Sequence, residues 1–385
     1  MFQALFNSLS GMFSFSKSLD TVSNNVSNMN TPGFRGSDAF FTNLEGGYGS
    51  RITGEDMRTT PGDLRETENP TDLAVNGNGY FVLRDPDGNL HYTRAGQFRF
   101  NADSILVDSV NGFEVMGLDT SGNMTSINLD TYRTIPAVGT TQVRIGGNIA
   151  PSSTTTNINA VTVYDASGAS RVLSVKFTNN TSVTPGSFLV TVTDSDGKAV
   201  GSGEVRFRTD GTPLAGYSTL DVVIQGPGGP QTIRFDAGTP GTLTGMTSLS
   251  GTTSSLSAKV TDGHGVLAVN GIQFDEKGVL QLTYSETEKR TGPQVALALF
   301  PNESALHLEG GRLISGATVQ QRDIGRPGDT GFGRITGFSL EMSNVDLTRE
   351  FADMIVIQRG YQASSRVMTV SNEMIEQLYN STRGG

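Results

Sequence analysis

The 385-residue sequence contains no cysteine. Disulfides, thiolate metal sites and cysteine nucleophiles are therefore excluded, and durability has to come from packing or polymerisation. Histidine is scarce: His91, His264 and His307 are the three present. None stands in a metal-ligand spacing such as HxxxH, so they read as turn or surface residues. Charge is sparse as well, at 17% of residues, with a formal net charge of −10. No basic tract or Lys/Arg stripe occurs, which argues against nucleic-acid binding. No apolar run approaches the length of a membrane span, so no membrane insertion is expected. The start, "MFQALFNSLSGMFSFSK", lacks a basic n-region and a cleavage site, and does not read as a secretory signal. The expectation is a cytoplasmic protein, or one exported with its N-terminus left in place.

The signatures of catalysis are missing too. "DGKAV" (196–200) is a lone Gly-Lys without the Gly that opens a P-loop. "DSDGKA" starts like an EF-hand, but its Gly comes too early and no Glu closes a 12-residue loop. "GPGGP" (226–230) and "NGNG" (76–79) are not GxGxxG turns opening a helix. Gly-x-Ser-x-Gly is absent. These absences point away from an enzyme, with no catalytic residue, cofactor or metal expected.

What is present is glycine, 48 residues of it, with frequent Ser and Thr. That mixture fits many short strands joined by turns. "LAVNGNGYFVL" (73–83) reads as strand, Gly/Asn turn, aromatic strand. "RDPDGNLHYTRAGQFRF" (84–100) is a hairpin around Pro-Asp-Gly. From about 141 to 290 short alternating runs recur, among them "AVTVYD", "VLSVKFT", "SFLVTVTD" and "GVLQLTYSE". They suit an all-β sandwich or barrel. The stretch 239–262 is small and polar, like a long loop or seam.

The two ends differ from the middle. Leu5, Leu9, Met12, Leu19 and Val26 fall on the a/d positions of one heptad frame, and Leu347, Phe351, Met354, Tyr361, Met368 and Ile375 do the same at the other end. Asp346 or Ser343 would cap the second helix, which runs for about 35 residues, roughly 50 Å. The expected fold class is mainly β with α-helical termini: nested β-barrel or sandwich domains plus a coiled-coil-like pair of terminal helices. The expected division is 1–34 as N-terminal helix and 35–70 as extended arm. Residues 71–145 form the first part of an inner β domain, 146–288 an inserted outer β domain, 289–342 the second part of the inner domain, and 343–385 the C-terminal helix.

An ordinary monomer could pack these apolar stripes on its own body. Their polar faces, however, carry Ser, Asn, Gln and Thr rather than Lys and Glu, which suits contact with other helices better than solvent. Lys17 and Arg35 balance Asp20 and Asp38, leaving a near-neutral segment that many copies could stack. A membrane-surface helix is disfavoured by the lack of basic residues. In "SNNVSNMNTPGF" (23–34), Asn24, Asn25, Asn28 and Asn30 are expected to set register by lateral hydrogen bonds. Pro32 ends the helix and Gly33 provides the hinge.

That same stretch resembles the N-terminal signature of the rod and hook axial proteins of the bacterial flagellum. "NPTDLAVNGNGYFVL" (69–83) and "YTRAGQFRFNADSILVDSVNGFEVMG" (92–117) resemble the motifs of that family's first β domain. "SNVDLTREFADMIVIQRGYQASSRVMTVSNEMIEQL" (343–378) resembles its closing helix. The long insertion, with "AVTVYDASGASRVLSVKFT" (160–178) and "GPQVALALFPNESALHLEGGRLI" (292–314), resembles the hook branch rather than the shorter rod proteins. "GMFSFSKSLD" carries more Phe and Ser than the family usually does. The resemblance implies a homopolymer in the extracellular hook and basal body. Terminal helices would line a tube around an export channel and β domains would form its outer layers, so that the polymer acts as a flexible universal joint. It implies as partners a distal rod protein, a hook-filament junction protein, a hook cap (scaffold) protein and the flagellar type III export apparatus. A distal rod subunit or a β-sandwich adhesin are the alternatives.

Overall fold

Helix-period patterning at the two ends becomes two helices, and the alternating runs between them become strands. The computed structural model describes residues 2–44, 49–251, 253–303, 306–316 and 321–383. Helix α1 spans Phe2–Ser27 and helix α2 spans Leu347–Arg383. Pro32 and Gly33 follow the end of α1, as a residue without an N–H and one with a φ of 74° should. Asp346 caps α2: its Oδ1 accepts from Thr348 N at 2.8 Å and its carbonyl accepts from Glu350 N at 3.0 Å.

The chain divides into two compact units. One comprises Met1–Tyr132 with Asn270–Gly385, the other Arg133–Val269. In the first, strands β1 (Ser37–Asn43) and β2 (Ser50–Met57) form a hairpin, β3 (Leu64–Glu66) follows, and β4 (Leu73–Asn76) leads into a hairpin of β5 (Tyr80–Arg84) and β6 (Leu90–Thr93). The returning chain completes this unit from several directions. Leu297 pairs with Phe81 of β5 and Leu313 with Thr93 of β6, while Val295 pairs with Gly117. Strand 334–337 lies against β4, and strand 339–341 against β3. The core gathers Tyr80, Val82, Tyr92, Met116, Ala296, Ala298 and Phe300 from both stretches, with Met57 from the base of the first hairpin.

The inserted unit is a two-sheet sandwich. A four-stranded antiparallel meander covers 155–206, and the second sheet is built from 142–148, 219–226, 229–236, 246–247 and 255–260. Leu173, Phe177, Phe188 and Val190 of the meander meet Val222, Ile224, Ile233 and Phe235 of the other sheet in one core.

Three sequence expectations differ from this architecture. The inserted unit is Arg133–Val269 rather than 146–288. Residues 142–148 hydrogen-bond into its second sheet, and 271–295 belong to the other unit through Val295 and Gly117. Residues 35–70 are not one extended arm, because they hold the β1–β2 hairpin. A register shift between Phe40 and Phe41 breaks the alternation that would have marked it. The polar stretch 239–262 contains a strand at 255–260 whose inward positions are Leu256, Ala258 and Val260.

Candidate functional site: the terminal helix pair

Helices α1 and α2 lie antiparallel. Asn25 near the end of α1 meets Glu350 near the start of α2, Phe15 meets Gly360, and Gly11 meets Ser364. Small residues form the buried side of α1: Ser8, Ser14, Ser18, Thr21 and Asn25, with Val22 as the single larger apolar member. Gly11 against Ser364 and Gly360 against Phe15 mark where missing bulk lets the two helices approach closely.

The polar face of α1 is largely occupied by its own chain. Ser14 Oγ donates to Ser50 O at 3.0 Å, Ser50 N donates to Ser10 Oγ at 3.3 Å, and Thr21 Oγ1 donates to Glu55 Oε1 at 3.1 Å. Asn25 closes this series. Its Nδ2 donates to Ser37 O at 2.9 Å and its Oδ1 accepts from Ser37 N at 3.0 Å. The β1–β2 hairpin is thus laced along the helix by hydroxyls and one amide. A buried amide with both ends satisfied fixes one register and penalises others.

Two buried ionic clusters anchor this assembly to the β body. In the first, Glu350 is 0% exposed at its side chain and accepts from Asn25 Nδ2 at 3.1 Å and Arg58 NH1 at 2.6 Å. Arg58 also grips Asp38 through Nε and NH2, at 3.2 and 2.6 Å. Burial alone would lower the Arg58 pKa, but its hydrogen bonds to Asp38 and Glu350 prevail and raise it. The same bond from Arg58 holds the Asp38 carboxyl below its usual range.

In the second cluster, Glu341 bridges two arginines. Its Oε1 accepts from Arg35 NH2 and its Oε2 from Arg94 Nε, both at 2.8 Å. Gly62 N adds a bond to Oε1 at 3.1 Å. Arg94 turns its remaining nitrogens on the carbonyls of Val75, Gly77 and Gly79, and Arg35 NH1 donates to those of Thr59 and Thr60 while its buried Nε has no partner among the described residues. Desolvation lowers the Arg35 pKa, with Glu341 opposing that fall. Gly33 seats the hinge on this cluster: its N–H donates to Glu341 O at 2.8 Å, and its Cα packs directly on the backbone of Ala95. The "TPGF", "NGNG" and "YTRAG" segments, separated in sequence, therefore meet at one buried ionic knot.

None of the heptad residues is fully buried within one chain. Leu5, Leu9, Met12, Leu19, Val26, Leu347, Met354, Met368 and Ile375 are half-buried, and Phe351 and Tyr361 are exposed. Beyond them the pair presents a broad apolar surface. Phe2, Phe6 and Phe13 stand out from α1, and Ile355, Val356, Val370, Met374 and Tyr379 from α2, with Phe13 69% and Val356 67% exposed. Among the asparagines, Asn25 alone is buried; Asn24 and Asn28 bond to each other at 3.0 Å, and Asn30 is exposed. Pro32 is half-buried at the turn and Gly33 is buried.

No sequence pattern marks Arg58, Arg94, Glu341 or Glu350, and Arg35 enters only as one charge in the balance of the N-terminal segment. A signal existed for Glu341, a lone charge inside the strand "SLEM", where burial implies a partner. Glu350 resembles an ordinary acidic residue of a first helical turn. Its partners lie 292 and 325 residues away.

Four family models match the chain in order. They are described as flagella basal body rod protein (5–35), flagellar hook protein FlgE/F/G D1 domain (74–151), flagellar basal body protein FlaE D2 domain (128–348), and flagellar basal body rod FlgEFG protein C-terminal (337–381). The flagellar hook protein FlgE of Borreliella burgdorferi is 26% identical over 98% of this chain and 99% of its own length. Those of Brucella suis and Escherichia coli are 27% and 26% identical, covering 97% and 98% of this chain and 98% and 99% of theirs. A crystal structure of Helicobacter pylori flagellar hook protein FlgE2 aligns with a TM-score of 0.48 and 14% identity, over 72% of this chain and all of that one.

Proposed function

This chain belongs to the flagellar hook protein family, and from that premise we propose that it polymerises with copies of itself into the flexible tube that joins motor to filament. Its relatives are structural hook proteins. The observation that carries the reading is the apolar surface left uncovered on the antiparallel helix pair. Phe2, Phe13, Ile355 and Val356 face outward on helices whose opposite sides are already packed. Burying one such side chain between copies contributes roughly 1.5–3 kcal/mol. Several per copy, repeated around a tube, would hold a polymer that has no disulfide.

In this reading the helix pairs line the inner wall around an export channel, and the β units form the outer layers. Bending during rotation requires outer surfaces to slide over one another without breaking strong contacts. The inserted unit, rich in Gly and Thr with few long charged side chains, suits that task. A distal rod protein below, a junction protein above, a cap protein during growth and the type III export apparatus complete the proposed partners. Export would proceed with the N-terminus retained.

Removing residues 1–30 tests this directly. The truncated chain is expected to remain monomeric in sedimentation under conditions where the full chain forms tubes. Tubes formed by the truncated chain would sink the helix-core reading.

A further inference from the structure

The segment "GMFSFSK" places two phenylalanines two apart on α1, and they have opposite fates. Phe13 is exposed, whereas Phe15 turns inward. The far end of the Phe15 ring rests on the backbone of α2 at Gly360. A methyl group at Gly360 would lie 2.5 Å from Cζ of that ring, with Cε1 and Cε2 at 2.7 and 2.9 Å. All three outer ring carbons therefore occupy the space that any side chain at 360 would need. The ring also meets Phe41 of β1, with centroids 6.0 Å apart and planes inclined at 53°. Phe15 thus touches α2 and the hairpin together.

We propose that Phe15 is a second register-setting residue of the terminal assembly, beside Asn25: its ring, seated in the notch left by Gly360 and backed by Phe41, fixes where the middle of α1 sits along α2. At one end of the pair the buried Asn25–Glu350 bond also selects a register, whereas the contact of Gly11 with Ser364 carries no ring or charge that would resist a slip of one turn. A ring in a glycine notch does resist it, because a shift of one turn brings it against Val356 or Ser364 instead. Register matters because it decides which exposed apolar residues of α2 stand beside Phe2, Phe6 and Phe13. The inference rests on the assembly role proposed above for that surface.

The absence of cysteine supplies a clean reporter. A Cβ at position 11 would lie 3.8 Å from the Cβ of Ser364, inside the range that a disulfide spans, about 3.5–4.5 Å. In the full-length chain carrying Gly11→Cys and Ser364→Cys, dilute monomer exposed to a mild thiol oxidant is expected to close an intramolecular disulfide, read on a non-reducing gel. Adding Gly360→Leu should slow closure about ten-fold or more, the scale expected when methyl groups are forced into a packed contact. Adding Phe15→Ala to that variant should restore it by vacating the notch. Failure of the starting pair to close, closure of the Gly360→Leu chain at the starting rate, or no recovery with Phe15→Ala would each overturn the proposal. The gel reads register within one chain. A chain that closes normally and yet fails to form tubes would count against the polymer reading while leaving the register claim standing.

Discussion

At the scale of single residues, the structure turns on a few charges with no exit to water. Glu341 is 1% exposed and is the shared partner of Arg35 and Arg94. Glu341→Ala leaves two buried guanidinium groups without their carboxylate, a change that typically removes 3–5 kcal/mol. The expected outcome is a clear fall in the melting temperature of the unit that carries the helices, with Glu341→Gln falling less because it keeps acceptor capacity. Asp38 gives a pH prediction of definite sign. Its folded pKa is depressed by Arg58, so its contribution is complete above the unfolded value of about 3.9 and is lost as pH falls through the lower folded value. Thermal melts of the wild type should drop more steeply below pH 4 than those of Asp38→Asn. Parallel curves would exclude Asp38 as a source of acid sensitivity. Of the residues in and around the two clusters, Asn25 and Gly33 stand out in the sequence as members of the polar stretch, and Arg35 and Asp38 only as balancing charges. The asparagine cluster advertised a polar contact without saying which amide would be buried, because Ser37 and Glu350 approach it only after folding.

At the scale of elements, the two helices were legible, and the small residues at two of their contacts were not. Apolar spacing marks α1 and α2 at once. It draws attention to Leu5, Met12, Met354 and Met368 and passes over two contacts between the helices that small residues make, Gly11 with Ser364 and Gly360 with Phe15. Periodicity in hydrophobicity measures where apolar groups lie. Close approach is governed by where bulk is absent. The β1–β2 hairpin was illegible for a different reason. Its two phenylalanines, Phe40 and Phe41, are adjacent and both about half-exposed, and much of its hold on α1 comes from hydroxyl and amide bonds beside the single Phe15–Phe41 contact. The hinge gives the prediction at this scale. Gly33 has φ 74° and backbone of Ala95 where a side chain would sit. Gly33→Ala should therefore undock the hinge and lose more than the about 1 kcal/mol of the backbone preference alone. Faster proteolysis between α1 and β1 would report it, and an unchanged cleavage rate would contradict the docking described.

At the scale of the whole molecule, the nested order was readable from the sequence: helix, β segment, inserted β unit, return, helix. Turn residues punctuate each strand, and the two helical ends are unlike anything between them. The boundaries at Tyr132 and Val269 were not readable. Strands on both sides of them share the same alternation, and only pairing partners decide membership. The family assignment adds the frame in which the exposed helix surface makes sense, as a contact between copies rather than a defect of one. Electron microscopy of basal bodies from a strain lacking this gene tests that claim most directly. The account predicts a complete rod that ends at the outer rings with no curved tube beyond it. A truncated rod would assign the chain to the rod instead, and intact motile flagella would contradict the account altogether.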